Sequence, residues 1–416
     1  LKDIGKLKQA EISTQKAIDL NPNFAEAHCN LGTILRDSGK SKEAELSFRK
    51  TIELNPNLAN AYANLGSLLL AFGKLQEAEI STRKALQIKP DLAEVNYNLG
   101  IILRDLGKFI EAEKYYSRAI SLRPNNTIFK MNRSKLYFDS GQFELALQDS
   151  DALNTKESRA FSLMILYALG DVDEIYKRIE KTSKIDENNI MLSGFSSFIS
   201  EETKKETLNN FCRKPLSFLY FSNLDSHIKN NGEFIHKIIN ELKDLEKVWD
   251  PAGKATKNGF QTPPQINLFF NCPKNISELK KIIFNELDKY YLKYKEEDCT
   301  YIQKWPLKKE ITGWHVILKK QGYQESHNHP AGWLSGVIYL KVVPSLDKNE
   351  GAIEFSLNGL YYSNTSSPEL LYQPKSGDII LFPSSLNHRT LPFSTNTERI
   401  VIAFDLLPNS MDKSVL

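Results

Sequence analysis

Residues 25–58 read AEAHCNLGTILRDSGKSKEAELSFRKTIELNPNL, residues 59–92 read ANAYANLGSLLLAFGKLQEAEISTRKALQIKPDL, and residues 93–126 read AEVNYNLGIILRDLGKFIEAEKYYSRAISLRPNN. The three segments align without gaps, so the chain repeats here with a period of 34 residues. The same step separates one glycine, one alanine and one proline per repeat: Gly5, Gly39, Gly73, Gly107 and Gly141; Ala10, Ala44, Ala78, Ala112 and Ala146; Pro22, Pro56, Pro90 and Pro124. Glycine permits a tight turn, alanine lets two helices approach closely, and proline ends the second helix. The period therefore predicts a stack of antiparallel helix pairs.

The composition is typical of a globular protein. The chain has 416 residues, 25% charged and 41% hydrophobic, which predicts two domains. Its 54 basic and 51 acidic residues give a net charge of +3, which argues against a nucleic-acid partner. No apolar run could span a membrane, and the four cysteines form no disulfide or zinc pattern, so we predict a cytoplasmic protein. The chain opens at Leu1, partway through a repeat, so a targeting segment could precede it.

The period and its signature columns resemble those of tetratricopeptide repeats (TPRs). The resemblance implies an all-α solenoid with a long concave face that binds a protein or peptide. We assign residues 1–156 to this array, as a partial first repeat followed by repeats at 25–58, 59–92, 93–126 and 127–156. Residues 157–200 are predicted to be a helical cap or linker, and residues 201–416 a second domain.

An asparagine column also keeps the repeat period, on the first helix of each repeat: Asn30, Asn64, Asn98 and Asn132. A carboxamide can pair with both the C=O and the N–H of an extended peptide without reading its side chains. The column is similar to the asparagine ladder of the O-linked N-acetylglucosamine transferases, which implies that these residues bind peptide. The alternative is that each asparagine bonds only to its own helices.

The second half of the chain changes its periodicity. Apolar residues at helical spacing predict helices at 231–248 and 275–296. Five short apolar runs then predict strands: WHVILKK from 314, GWLSGVIYLKVV from 332, GAIEFSL from 351, GDIILFP from 377 and RIVIAFDLL from 399. Strands at this spacing favour a β-sandwich or barrel.

Three histidines in this region have the spacing of a metal site. His327 and His329 precede one predicted strand in ESHNHPAGWLSGVIYL (325–340), and His388 follows another. In a double-stranded β-helix, or jelly roll, such positions converge at one mouth of the barrel. Imidazoles with open coordination positions suit Fe(II).

The surrounding residues resemble the 2-oxoglutarate- and Fe(II)-dependent oxygenases, in particular a bacterial and phage branch with an H-x-H motif. The matching positions are His327, His329, Pro330, Ser335, Gly336, Tyr339, Pro374, Gly377, Asp378, Phe382, Pro383, Ser384, His388, Pro392, Glu398 and Arg399. The resemblance implies a jelly roll with flanking helices and a hydroxylase that uses Fe(II) and 2-oxoglutarate. It also implies that Arg399 binds the cofactor's distal carboxylate and that Tyr339 is a further cofactor-binding residue.

One position departs from the family pattern. The usual ligands are two histidines and a carboxylate, yet residue 329 is histidine. Either three imidazoles form the site, with His329 as a direct ligand, or a carboxylate supplies the third ligand; the candidates are Glu325, Glu354 and Asp347. His315 could face the same cavity, although a core or surface position fits this lone histidine better.

Together these features predict an oxygenase whose TPR array recruits a protein or peptide, without membrane or nucleic-acid partners. Two alternatives remain. The repeats could scaffold an assembly beside a non-catalytic β-domain, or the β-domain could be a three-histidine cupin-type dioxygenase that needs no 2-oxoglutarate.

Overall fold

The computed structural model describes residues 4–251, 253–263, 265–344 and 349–409. The chain forms two compact units, Leu1–Leu153 and Asn154–Leu416. The change from one unit to the other falls three residues before the predicted end of the array at residue 156. Residues 157–200, predicted as a cap or linker, lie within the second unit.

The first unit is all helical. Its helices are α1 (Ile4–Leu20), α2 (Ala25–Asp37), α3 (Ser41–Leu54), α4 (Ala59–Ala71), α5 (Leu75–Ile88), α6 (Ala93–Asp105), α7 (Phe109–Leu122), α8 (Thr127–Asp139) and α9 (Phe143–Asp151). Within each predicted repeat the two helices pack on each other, α2 on α3, α4 on α5, α6 on α7 and α8 on α9. The predicted all-α solenoid is confirmed.

The periodic glycines make the turns inside the repeats. Gly39, Gly73, Gly107 and Gly141 have φ of 79°, 69°, 74° and 75°, a left-handed conformation that favours glycine. Gly5 instead lies within α1. The periodic prolines stand just after the second helices, since α3, α5 and α7 each end two residues before one.

A second set of glycines lets the two helices of a repeat touch. A Cβ atom at Gly66 would lie 2.4 Å from the Thr82 hydroxyl, and one at Gly100 would lie 2.8 Å from the Tyr116 ring. The alanine column on the facing helix has no exposed surface at Ala44, Ala78, Ala112 and Ala146. Small residues on both sides therefore fix the close approach that the period predicts.

The second unit combines helices with one curled sheet. Its helices are α10 (Lys156–Leu169), α11 (Val172–Ile185), α12 (Ile190–Thr203), α13 (Asn231–Leu242), α14 (Lys274–Tyr294) and α15 (Thr300–Gln303), with 3₁₀ turns at Pro215–Phe218 and Leu224–Ser226. Its strands are β1 (Tyr220–Asn223), β2 (Val248–Trp249), β3 (Thr256–Gln261), β4 (Ile311–His327), β5 (Leu334–Lys341), β6 (Ile353–Ser356), β7 (Glu369–Tyr372), β8 (Asp378–Pro383), β9 (Asn387–Thr390) and β10 (Arg399–Leu406). No helix among the described residues has the length and apolar character needed to cross a membrane.

All strand pairs are antiparallel, in the order β1-β8-β5-β10-β4-β9-β6-β7, with β3 also paired to β4 and β2 to β3. This arrangement confirms the predicted jelly roll with flanking helices. The five predicted strands correspond to β4, β5, β6, β8 and β10. The predicted helix at 231–248 is too long, because α13 ends at Leu242 and Val248 begins β2.

The side chains of β10 point alternately to the two faces of the sheet. Ile400, Ile402, Phe404 and Leu406 belong to the core that also holds the buried apolar residues of α13 and α14. Arg399, Val401, Ala403 and Asp405 point to the other side, into the curled sheet, because successive strand residues face opposite ways. The inward face is where the candidate site lies.

Helix α12 packs on the loops at one edge of the jelly roll. The rings of Phe195 and Phe198 lie 5.0 Å and 4.7 Å from the ring of Tyr362. A Cβ atom at Gly194 would lie 2.6 Å from the backbone oxygen of Ser385, just before β9. The helix therefore supports the segment that leads into His388.

Candidate functional site

The three predicted histidines meet at one point of the inward face. His327 ends β4, His388 lies in β9, and these two residues are direct partners in the strand register. His329 lies two residues beyond β4. The ring centroids are 4.3 Å apart for His327 and His388, 5.2 Å for His327 and His329, and 5.1 Å for His329 and His388. One ring nitrogen from each histidine lies within 4.8 Å of the others, the geometry of a group that could hold a metal ion.

Hydrogen bonds fix the tautomer of each imidazole. His327 Nδ1 donates to the backbone oxygen of Glu325 at 2.7 Å, and His388 Nδ1 donates to that of Leu386 at 3.3 Å. His329 Nδ1 lies 2.6 Å from Asp405 Oδ1. Since a carbonyl or carboxylate oxygen can only accept, each Nδ1 carries the hydrogen. Each Nε2 is left with a lone pair for a metal.

Burial keeps two of these imidazoles neutral. It lowers the pKa of His327 to about 3, with the neighbouring His329 as a further cause. Burial likewise holds the pKa of His388 well below its ordinary value, and the other two histidines add to the effect. A metal ligand must be the neutral imidazole, so no proton has to leave these two side chains before a metal binds.

Glu325 is not part of the cluster. Its Oε2 lies 3.8 Å from Lys257 Nζ, and its backbone oxygen accepts the Nδ1 hydrogen of His327. The second carboxylate considered from the sequence, Asp347, lies outside the described residues.

Glu354 faces away from the cluster. Its neighbour Phe355 is the register partner of His388, so alternation turns Glu354 to the outer face of β6. There it accepts a hydrogen bond from Arg389 Nη2 at 2.7 Å. Among the described residues, the metal-ligating group at this point consists of three histidines.

His315 lies on the helix-facing side of the sheet. It is the register partner of Ile402, which belongs to the core between the sheet and the helices. Burial lowers its pKa to about 3, and neither ring nitrogen has a hydrogen-bond partner among the described residues. His315 therefore lies in the core, one of the two positions expected for it from the sequence.

Arg399 is the largest fully buried side chain of the described residues. Its Nη2 donates to the Tyr339 hydroxyl at 3.3 Å, and its Cζ lies 4.9 Å from the centroid of that ring. Burial lowers the pKa of Arg399 and raises that of Tyr339 to about 12. Nε and Nη1 of Arg399 have no partner among the described residues. The site thus contains a buried guanidinium with unused donors.

The guanidinium and the imidazoles share one face. In strand β4, Leu318 is the register partner of Arg399, and His327 is the register partner of His388. Tyr339 pairs with Val401, which is on the inward-facing side of β10. A metal bound by the histidines and an anion bound by the arginine would therefore occupy the same interior.

Sequence reasoning missed Asp405. Its carboxylate accepts hydrogen bonds from His329 and, at 2.7 Å, from Ser335 Oγ, whose own oxygen lies 2.8 Å from Ser384 Oγ. The two serines belong to the family motif but carried no predicted role. The only available signal for Asp405 was one acid at an inward-facing position of an apolar strand, RIVIAFDLL.

The asparagine column occupies corresponding places on α2, α4, α6 and α8. Asn64 Nδ2 donates to Cys29 Sγ at 3.7 Å, and Asn132 Nδ2 donates both to Tyr97 Oη and to the backbone of its own helix, at 3.0 Å each. Asn30 is exposed, Asn98 is half-buried, and neither side chain bonds to a described residue. The column therefore includes both bonded and unused carboxamides.

Comparisons with known proteins find similar families in both halves of the chain. Residues 312–405 match the family model described as "Putative 2OG-Fe(II) oxygenase". Tetratricopeptide-repeat models match residues 25–58 and 93–126, and a second such model matches residues 47–80. None of the curated proteins is similar enough to count as a relative.

Several solved structures are similar to part of the chain. YrrB, described as a TPR protein with an unusual peptide-binding site, is 21% identical over 43% of this chain and 95% of its own, with a TM-score of 0.40. The pilF protein of Pseudomonas aeruginosa is 20% identical over 47% and 90%, with a TM-score of 0.40. A tetratricopeptide repeat protein from Parabacteroides merdae is 20% identical over 48% and 82%, with a TM-score of 0.41. By its sequence matches, the chain has tetratricopeptide-repeat segments between residues 25 and 126 and a segment at residues 312–405 that is similar to the putative 2OG-Fe(II) oxygenase family.

Proposed function

We propose that the second unit is a 2-oxoglutarate- and Fe(II)-dependent hydroxylase and that the first unit recruits its protein or peptide substrate. One observation carries the enzymatic part of the proposal. The buried guanidinium of Arg399, with Nε and Nη1 unpartnered among the described residues, lies on the same inward face as the three-histidine cluster.

The histidine cluster fits Fe(II). His327, His329 and His388 would hold the ion through their Nε2 atoms, because each Nδ1 is already hydrogen-bonded. Three protein ligands leave open positions for other groups, as in non-haem iron oxygenases. When bound, Fe(II) and 2-oxoglutarate with dioxygen supply oxidation of a substrate C–H bond, with release of succinate and carbon dioxide.

The arginine fits the distal carboxylate of 2-oxoglutarate. A guanidinium binds a carboxylate through charge-assisted hydrogen bonds, and both unused nitrogens of Arg399 can donate. The Tyr339 phenol stays protonated, because burial raises its pKa to about 12, and it can donate a further hydrogen bond. Arg399 and Tyr339 are both buried, so these contacts would be stronger than the same contacts at the surface.

A three-histidine dioxygenase that needs no 2-oxoglutarate accounts for the ligands but not for Arg399. In that enzyme the unused donors of a fully buried cation would have no function, and such groups are costly to bury. The guanidinium therefore favours the 2-oxoglutarate enzyme.

The test is direct. Iron-loaded protein should bind 2-oxoglutarate in anaerobic calorimetry, and in air with candidate cell extracts it should release succinate in an amount that depends on Fe(II). The His388→Ala variant, which lacks a ligand, is the control and should release none. Iron-loaded wild-type protein that binds no 2-oxoglutarate would refute the proposal and favour the three-histidine dioxygenase or an inactive scaffold.

The recruiting role rests on the asparagine column. Tetratricopeptide repeats are a type of array that binds proteins or peptides. Asn30 and Asn98 offer unused carboxamides, and the Oδ1 atoms of Asn64 and Asn132 accept no hydrogen bond from a described residue. Four such groups at the repeat spacing could pair with the backbone of an extended peptide.

A further inference from the structure

Among the described residues, the histidine cluster includes no negatively charged ligand, yet a carboxylate lies directly behind one of its histidines. Asp405 is 7% exposed and faces inward from β10, where it is the register partner of Ser335. Its Oδ1 accepts hydrogen bonds from His329 Nδ1 at 2.6 Å and from Ser335 Oγ at 2.7 Å. One carboxylate oxygen therefore receives two hydrogens, one of them from the ring of a metal-ligating residue.

Neighbouring contacts hold this carboxylate in place. A Cβ atom at Gly332 would lie 2.5 Å from Ser384 Oγ and 2.9 Å from Asp405 Cγ, so only glycine fits there. Ser384 also accepts the backbone N–H of His329 at 3.1 Å, while its hydroxyl lies 2.8 Å from that of Ser335. The histidine and the carboxylate are thus fixed by the same small group of residues.

The other two histidines have no carboxylate partner in the part of the chain that the structure describes. His327 and His388 donate their Nδ1 hydrogens to the backbone oxygens of Glu325 and Leu386, which are neutral. Among the described residues, the charged acceptor lies behind His329, which stands at the position of the carboxylate in the usual site of two histidines and one carboxylate. The negative charge is present, but one imidazole ring further from the metal.

We propose that Asp405 is a positioning residue with two effects on His329. It holds the ring with Nε2 toward the metal, and its charge strengthens the ring as a donor, in place of the charge that a carboxylate ligand would provide. The inference rests on the proposed function only in taking the three histidines as the metal ligands. Partners of this kind behind a ligating histidine typically change metal affinity roughly 10- to 100-fold.

Two substitutions separate the two effects. Asp405→Asn keeps an oxygen that can accept the Nδ1 hydrogen but removes the charge. Asp405→Ala removes both the charge and the carboxylate acceptor, and it leaves the Ser335 hydroxyl 3.0 Å from His329 Nδ1. The matched control is Asp378→Asn, because Asp378 is also buried but accepts hydrogen bonds from Tyr372, Lys375 and Asn223 instead of from a histidine.

Two measurements on purified full-length protein give the answer without enzyme activity. Histidine ring ¹⁵N spectra of metal-free protein at mildly alkaline pH report the tautomer of His329, and chelator competition with Co(II) and Fe(II) under anaerobic conditions reports affinity. We expect Asp405→Asn to keep the Nδ1–H tautomer and to bind both metals roughly 10- to 100-fold more weakly. Asp405→Ala should give a mixture of both tautomers, because the Ser335 hydroxyl that stays 3.0 Å from His329 Nδ1 can either accept or donate. Asp378→Asn should match the wild type.

Two results would overturn the inference: Co(II) affinity in Asp405→Asn equal to that of the wild type, or an equal loss in Asp378→Asn. The near-isosteric asparagine variant keeps the test valid if the alanine variant does not fold. A protein that binds metal as expected but never binds 2-oxoglutarate would refute the proposed function and leave the role of Asp405 intact.

Discussion

Arg399 and Tyr339 face each other inside the jelly roll, with the guanidinium Nη2 3.3 Å from the phenol oxygen and Cζ 4.9 Å from the ring centroid. The tyrosine orients the guanidinium but supplies no negative charge. Two of the three guanidinium nitrogens stay unpartnered among the described residues, so a dicarboxylate would complete the arrangement.

The first prediction follows from this pair. Arg399→Lys keeps the charge but not the planar fork, so 2-oxoglutarate should bind clearly more weakly. Arg399→Ala should lose more, about 2–5 kcal/mol, because the distal carboxylate would be buried without its partner. Anaerobic calorimetry on iron-loaded protein measures both. The iron content should stay constant in both variants. A 2-oxoglutarate affinity that neither substitution changes would show that another residue holds the carboxylate.

The second prediction concerns the metal ligands. His327→Ala and His388→Ala should each remove most Fe(II) binding, because only two imidazoles would remain. The iron bound per chain after desalting under anaerobic conditions is the measurement. His315→Ala is the control, since this histidine lies on the helix-facing side of the sheet and should leave the iron content unchanged. Full iron content in either ligand variant would contradict the assignment.

The third prediction tests whether residue 329 is a direct ligand. His329→Asp would place a second carboxylate near Asp405, and this neighbour should raise the pKa of one of the two carboxyl groups. A proton would then have to leave before Fe(II) binds, so Fe(II) affinity near neutral pH should fall. Adding Asp405→Asn should recover that loss, because the double variant has two histidines and one carboxylate. Chelator competition on the four proteins of this cycle measures the coupling. Fe(II) affinity that His329→Asp leaves unchanged, both alone and together with Asp405→Asn, would place residue 329 outside the coordination sphere.

The fourth prediction concerns the asparagine column. Replacing Asn64 and Asn98 together with alanine should weaken peptide binding by roughly 1 kcal/mol per lost hydrogen bond, with 2-oxoglutarate binding unchanged. Peptides selected on the wild-type chain from a random display library serve as probes, with fluorescence anisotropy as the measurement. The control replaces the exposed Asn57 and Asn125 of the inter-repeat turns. Equal affinities in both double variants would exclude a ladder.

The fifth prediction concerns helix α12. Gly194→Ala should lower the free energy of unfolding by about 1–3 kcal/mol, because the new Cβ would press on the Ser385 carbonyl, and overpacking has this cost. Metal affinity should fall as well, since the next residue, Leu386, orients His388. Gly232→Ala, in open space on α13, should be neutral or stabilising by up to about 1 kcal/mol. Thermal unfolding compares the two; equal melting temperatures would show that α12 does not support the site.

Much of the fold could be predicted because its signals are local. The 34-residue period fixes helix pairs through small residues and turns, and the apolar runs around Leu334–Lys341 and Arg399–Leu406 form buried strands as expected. Short strands such as β2 and β9 were missed, because their pairing comes from neighbours distant in sequence. Val248 was read as the end of a helix for the same reason.

The candidate site divides in a similar way. His327, His388 and Arg399 could be predicted from spacing and family motif, because each motif element sits at a strand end. Asp405 could not, since nothing in the sequence indicates that its carboxylate meets a histidine 76 residues earlier in the chain. The packing of α12 on the segment before His388 also depends on contacts between distant parts of the chain.

Strand β4 spans both ends of the proposed cofactor pocket. In this strand, Leu318 is the register partner of Arg399 and His327 is the register partner of His388. Gln321, which lies between Leu318 and His327, has a φ of 60° that bends the strand. The number of residues in this stretch therefore sets the gap between the carboxylate anchor and the metal. An insertion or deletion there would change the gap by up to about 3.3 Å per residue. Under the proposed function, the backbone of β4 would therefore set which chain length of 2-oxo diacid fits between Arg399 and the histidines, and side-chain substitutions would not change this length.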